Sequence, residues 1–164
     1  MRFVADLMLG KLARWLRILG YDTIYGPSTP LKDLVSLCNR EHAMFLTRRK
    51  SLPEGVSLTS VFNICSEDFE EQLRRVIHHF DLDTATYLFT RCISCNVEVQ
   101  PVEKVSLRGK IPERSFEGYD HFFQCPQCQS IYWGGTHRAN TLRKLEKILS
   151  TRCDPISSRK IKWN

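Results

Sequence analysis

The chain has 164 residues, seven of them cysteine, and a formal net charge of +6 at pH 7. That length accommodates one medium domain or two small ones, and no apolar run approaches the roughly 18 residues that a membrane-spanning helix needs. The expectation is a cytoplasmic protein with no membrane contact, because nothing at the N-terminus resembles a secretory signal and the cysteine spacing does not suggest an oxidising compartment. Charge is unevenly spread: residues 1–90 carry 11 Lys and Arg against 11 Asp and Glu, whereas residues 91–164 carry 13 against 7, which is the whole excess. A basic half of this kind suits a polyanionic partner, and equally a solvated basic helix and tail.

In chain order, residues 2–6 read as a short apolar strand and residues 8–19 as a helix ended by Gly20. A second strand over 23–25 precedes a helix over 31–42, followed by strands over 44–47 and 60–65. Ser66 then caps a helix whose Phe69, Leu73, Val76, Ile77 and Phe80 share one face, with Glu67 and Asp68 at the positive end of its dipole. Strands alternating with helices predict an α/β fold, a mostly parallel sheet flanked by helices. Further on, residues 97–107 alternate as a strand and residues 131–133 form another. Gly134-Gly135 turns the chain, and Thr136 caps a last helix with Leu142, Leu145 and Leu149 inward. The expected organisation is an α/β domain over 1–90, a small four-cysteine domain with a C-terminal helix over 91–150, and a basic tail over 151–164.

Two C-x-x-C pairs, Cys92/Cys95 and Cys125/Cys128, with 29 residues between them, carry the strongest chemical signal. Such knuckles aim four thiolates at one tetrahedral point about 2.3 Å from each sulfur, the closed form of a structural zinc site. Two disulfides, or four buried thiols, are the plain alternatives. Cys38, Cys65 and Cys153 read as small buried hydrophobes.

In an open parallel sheet, ligands gather at the carboxyl ends of the strands. Asp6 ends the first strand and Thr47-Arg48-Arg49 ends the third, so they can share a crevice. Asp6 is either a cap or a metal ligand there. In the helix that follows, Lys11, Arg14 and Arg17 recur at threefold spacing, which suits phosphates beside a bound cation or is a solvated charged face. Tyr132 and Trp133 can stack on bases or fill a core. His137 contacts a phosphate or helps cap the last helix, and Arg143, Lys144 and Lys147 extend the basic surface. Histidines 78 and 79 receive no role.

The run FVADLMLGKLARWLRILGYD over residues 3–22, LTR at 46–48, EQL at 71–73, RCISCN at 91–96, CPQC at 125–128 and IYWGGTH at 131–137 together resemble the Mut-seven C-terminal RNase domain family. These are PIN-like nucleases ending in a zinc ribbon, and the resemblance spans about residues 1–145. It implies RNA as partner and a metal-dependent ribonuclease in which carboxylates hold magnesium or manganese and activate a water. Asp6 matches the first acid of the family and Asp22 the acid of its G-[FY]-D element. The family pattern departs at two places. Arg49 follows the Leu-Thr-Arg triplet where an acid is expected, and Leu31 falls where an acid opens the second helix, with Asp33 two residues on as its replacement in a shifted register. A guanidinium repels a cation, so Arg48 and Arg49 suit phosphate contact instead, or form a plain basic loop. The expectation is an RNA-binding PIN-like protein with a degraded acidic site. Its alternatives are a catalytically inactive RNA-binding or adaptor protein on the same scaffold and, more distantly, a zinc-ribbon module that contacts a protein partner.

Overall fold

Strands buried on both faces read as continuous apolar runs, and Phe3, Val4, Ala5, Phe45 and Leu46 are fully buried. They belong to β1 (Arg2–Ala5) and β3 (Met44–Thr47). In the computed structural model, which describes residues 1–53 and 57–151, these strands join β2 (Asp22–Ile24) and β4 (Val61–Asn63) in one parallel sheet, ordered β2-β1-β3-β4. Successive residues of a strand face opposite sides. Phe3 meets the ring of Phe80 edge-on with centroids 5.5 Å apart, while Val4 packs with Leu34, Cys38, Ala43 and Phe45. The first face lies under α1 (Gly10–Ile18) and α3 (Phe69–Phe80), which pack on each other, and the second under α2 (Leu31–Arg40).

The chain leaves β1 toward β2 on one side and β3 toward β4 on the other. The switch point therefore falls between the carboxyl ends of β1 and β3, where Asp6 and residues 47–49 lie. Gly20 closes α1 with φ +92°, and a Cβ there would stand 2.3 Å from the Tyr87 carbonyl oxygen, so no side chain fits. The expected inward face of α3 is present: Phe69, Leu73, Val76 and Ile77 are buried. Its cap is Asp68 rather than Ser66. Asp68 accepts from the Glu71 N–H at 2.8 Å, while the Ser66 hydroxyl donates to the Glu71 carboxylate at 2.7 Å.

After Asn96 a second compact unit begins, so the first knuckle, expected with the ribbon, lies on the α/β side of this division. The second unit holds an antiparallel sheet of β5 (Gln100–Val102), β6 (Phe122–Gln124) and β7 (Ile131–Trp133), with α4 (Glu113–Gly118) before β6 and α5 (Thr136–Ser150) after β7. The strand expected over 97–107 shrinks to three residues. Pro101 brings no N–H to the ladder and sits on the edge strand, where it is tolerated; a 3₁₀ turn at Lys104–Leu107 then buries Leu107. Thr136 opens α5 without capping it, and the buried positions of that helix are Leu145 and Ile148. The basic tail lies, from residue 152 on, outside the described residues. No described helix is long and apolar enough to cross a membrane.

Candidate functional site

Asp6 is wholly buried at the end of β1 and caps the 3₁₀ turn Leu7–Leu9. Its Oδ1 accepts the Leu7 N–H at 2.7 Å, and its Oδ2 accepts the Thr47 hydroxyl at 2.6 Å and the Arg49 Nε–H at 2.7 Å. The Arg49 Nη2 approaches Oδ1 at 3.5 Å. Arg49 is itself held in place: its N–H donates to the Thr47 hydroxyl at 3.0 Å, and its carbonyl accepts from the Asn63 amide. The switch-point carboxylate is thus neutralised by the guanidinium that replaces the expected acid. Arg48 turns instead to Glu67 in an ion pair of 2.5 Å whose acidic partner is almost fully exposed.

Asp22 does not join Asp6, and neither it nor Asp33 shares a cluster of three or more metal-ligating groups with it. Asp22 pairs with Arg2 in the parallel register, four residues upstream of Asp6 along β1, which at about 3.3 Å per residue puts it roughly 13 Å away at the opposite edge of the sheet. There it accepts Arg2 Nε at 2.7 Å and the Asn96 side-chain amide at 2.7 Å, as a clamp. Asp33 is exposed in the first turn of α2. Leu31, at the start of that helix, packs against the cluster of Val4, Leu34 and Phe45. Among the described residues, only the four cysteines gather three or more metal-ligating groups. Magnesium and manganese require near-octahedral oxygen ligation at about 2.1 Å. The residues at the switch point do not fit them: Asp6, the buried carboxylate there, has both oxygens engaged and a guanidinium beside it, and Glu67 is paired with Arg48.

The cysteine site fits a metal well. All four sulfurs lie within 4.8 Å of one another, the separation that a tetrahedral centre with bonds of about 2.3 Å demands being near 3.8 Å. No described cysteine is in a disulfide. Each knuckle has the same local geometry. The Cys95 N–H points at the Cys92 sulfur at 3.3 Å and the Cys128 N–H at the Cys125 sulfur at 3.5 Å. Asn96 and Gln129 follow in the left-handed region, at φ 65° and 61°, with their N–H groups on the Cys92 and Cys125 carbonyls. N–H donors aimed at sulfur stabilise thiolate and orient it.

Of the stripe on α1, Lys11 and Arg14 are exposed but Arg17 is buried. Lys11 lies over the Phe69 ring at 4.5 Å. Arg17 donates Nε–H to the Thr23 carbonyl at 2.9 Å and Nη1 hydrogens to the carbonyls of Ile93 and Ser94, both at 2.8 Å. Burial lowers its pKa from the ordinary guanidinium value, and Cys92, Asp22 and Cys95 offset part of that effect. Sequence reasoning missed this tie between α1 and the first knuckle. Threefold spacing marks both a solvated face and its buried flank, and only the knuckle's position distinguishes them. On α5, His137, Arg143, Lys144 and Lys147 are exposed. Tyr132 and Trp133 are half-buried, Trp133 leaning on Phe122 with centroids 6.3 Å apart.

A four-stranded parallel α/β sheet followed by a four-cysteine cluster of zinc-ribbon type defines the class. A family model described as the Mut7-C RNAse domain matches residues 1–145, and the chain belongs to that family. No curated protein and no solved structure gives a significant match.

Proposed function

We propose that this chain binds RNA on a ribonuclease scaffold without driving divalent-metal hydrolysis. The ion pair of Arg49 with buried Asp6 carries this reading, because it puts a fixed positive charge where hydrolysis needs a cation. Family membership supports RNA as the partner. The exposed cations Lys11 and Arg14 on α1 and His137, Arg143, Lys144 and Lys147 on α5 are the groups assigned to phosphates; Arg48 joins them once its exposed partner Glu67 yields. In this reading Cys92, Cys95, Cys125 and Cys128 hold one structural zinc that supplies folding energy and no chemistry, and Asp22 and Asp33 are not ligands. By its chemistry the scaffold divides into a nuclease-like domain over 1–90 and a zinc ribbon over 91–150, the shared cysteine site assigning the first knuckle to the ribbon although its backbone packs with the α/β unit.

The test is a single-stranded RNA incubated with the zinc-loaded protein under titration with magnesium and manganese. Saturable binding without divalent-dependent cleavage is the expected result. Manganese-dependent cleavage that disappears in Asp6→Asn would establish the second reading, a working ribonuclease, which the family match favours. Absence of RNA binding at low salt would leave the protein-interaction reading in its place.

A further inference from the structure

Arg14 and Arg17 share a cavity of about 210 Å³ with Gly10, Ala13, Tyr25, Ile93 and Ser94. This volume lies below the 300–1,000 Å³ or so of sites for drug-sized ligands, so it admits a single small group. No carboxylate lines it. The Arg14 guanidinium makes no hydrogen bond or ion pair with any other described residue. Arg17 is only 7 % exposed, yet the bonds it makes use three of its five N–H donors and leave both Nη2 hydrogens. Two guanidinium groups three residues apart on a helix repel each other, and Cys92, Asp22 and Cys95, which offset part of the Arg17 desolvation, do not line the cavity. Ser94, an exposed residue, also lines the cavity. Tyr25 walls the other end: its hydroxyl donates to the Leu7 carbonyl at 3.0 Å, and a Cβ on Gly10 would fall 2.7 Å from the hydroxyl oxygen. The wall is thus fixed by hydrogen bonding and by the absence of a side chain.

We infer that this cavity is a phosphate-binding pocket, in which Arg14, the Nη2 of Arg17 and the Ser94 hydroxyl hold one phosphoryl group of RNA. It rests on the RNA-binding reading above and sharpens it, separating a phosphate site on the flank of α1 from the closed switch point at Asp6. The planar guanidinium suits a tetrahedral oxyanion because it presents paired donors. The occupant is either an internal backbone phosphate or a free 5′-phosphate.

Two measurements on the full, zinc-loaded chain test it. In the first, isotopically labelled protein is titrated with inorganic phosphate; the Arg14 Nε–H and the Gly10 and Ser94 amide signals are expected to shift together and saturably. Their failure to move overturns the pocket whatever RNA does. In the second, 5′-phosphorylated and 5′-hydroxyl hexaribonucleotides are bound to the native chain and to Arg14→Gln, a change at an exposed residue. Arg14→Gln is expected to weaken binding about tenfold and to lower the log-log salt slope by about 0.7. An equal loss for both RNAs identifies a backbone phosphate, and a loss confined to the phosphorylated RNA identifies a 5′ end. Unchanged affinity and slope, with RNA still bound, overturn the pocket and leave the RNA-binding reading intact. If neither RNA binds the native chain, that broader reading fails while the phosphate titration still decides the pocket.

Discussion

At Asp6 the cost of a lone buried carboxylate sets what the site can do. A buried ion stripped of its partner loses charge-assisted hydrogen bonds and keeps its desolvation cost. Arg49 is about one-third exposed, which moderates the penalty. Arg49→Leu should therefore destabilise the chain by about 1–3 kcal/mol in urea denaturation, and Asp6→Asn in the same background should recover part of that loss. A neutral Arg49→Leu would show that the pair does not close the switch point. Restoring acids by sequence alignment alone is a poor experiment, because Leu31 is half-buried against the core cluster: Leu31→Asp would set a carboxylate against Val4, Leu34 and Phe45. The sequence made Asp6, the loss of acid at 49 and the charge conflict legible. It did not reveal that Arg49 folds back onto Asp6, because that contact joins the ends of two strands 43 residues apart. Asp22 misled for a related reason: its place in the chain suits an acidic site, but the parallel register puts it at the wrong edge.

At the scale of one element, α3 owes its start to a four-residue network. Asp68 caps the helix and Ser66 holds Glu71. Arg75, one turn on, holds the other carboxylate oxygen at 2.7 Å. The Ser66 hydroxyl foremost, with Arg75, keeps the Glu71 carboxyl below its ordinary value. A depressed carboxyl stabilises the fold above its unfolded pKa of about 4.3, and that share is lost as pH falls through the lower folded value. Asp68→Ala should cost about 1 kcal/mol at pH 7. Ser66→Ala should flatten the fall in thermal midpoint between neutral pH and the acid side of pH 4; an unchanged acid limb would remove Glu71 from the account. The sequence located this helix and its buried face well, since a 3.6-residue apolar period is a strong signal. It misassigned the cap because Ser66 and Asp68 both carry capping side chains, and only the backbone path chooses between them. The 3-residue strand β6 and 6-residue helix α4 passed unnoticed, being too short for a period to show.

For the whole molecule, metal and charge are the two large quantities. The cysteine cluster predicts about one equivalent of zinc on purification, measurable by elemental analysis. Cys125→Ser should lower stability sharply, since structural zinc couples its binding energy to folding. Charge makes the second claim. The entire positive excess lies in residues 91–164, and α5 displays Arg143, Lys144 and Lys147 on its exposed side. Reversing these three to Glu should weaken single-stranded RNA binding steeply at low salt. It should also reduce the log-log salt slope by about 2, at roughly 0.7 for each phosphate no longer neutralised. The control, compared per charge reversed, is Lys32→Glu with Arg40→Glu on α2, both exposed although Arg40 also pairs with its neighbour Glu41; Arg74 is buried and Arg75 is held by Glu71 within the cap network of α3. Little change is expected from the control. Equal weakening by the two sets would mean that RNA responds to net charge alone, and the α5 cations would then forfeit their assignment.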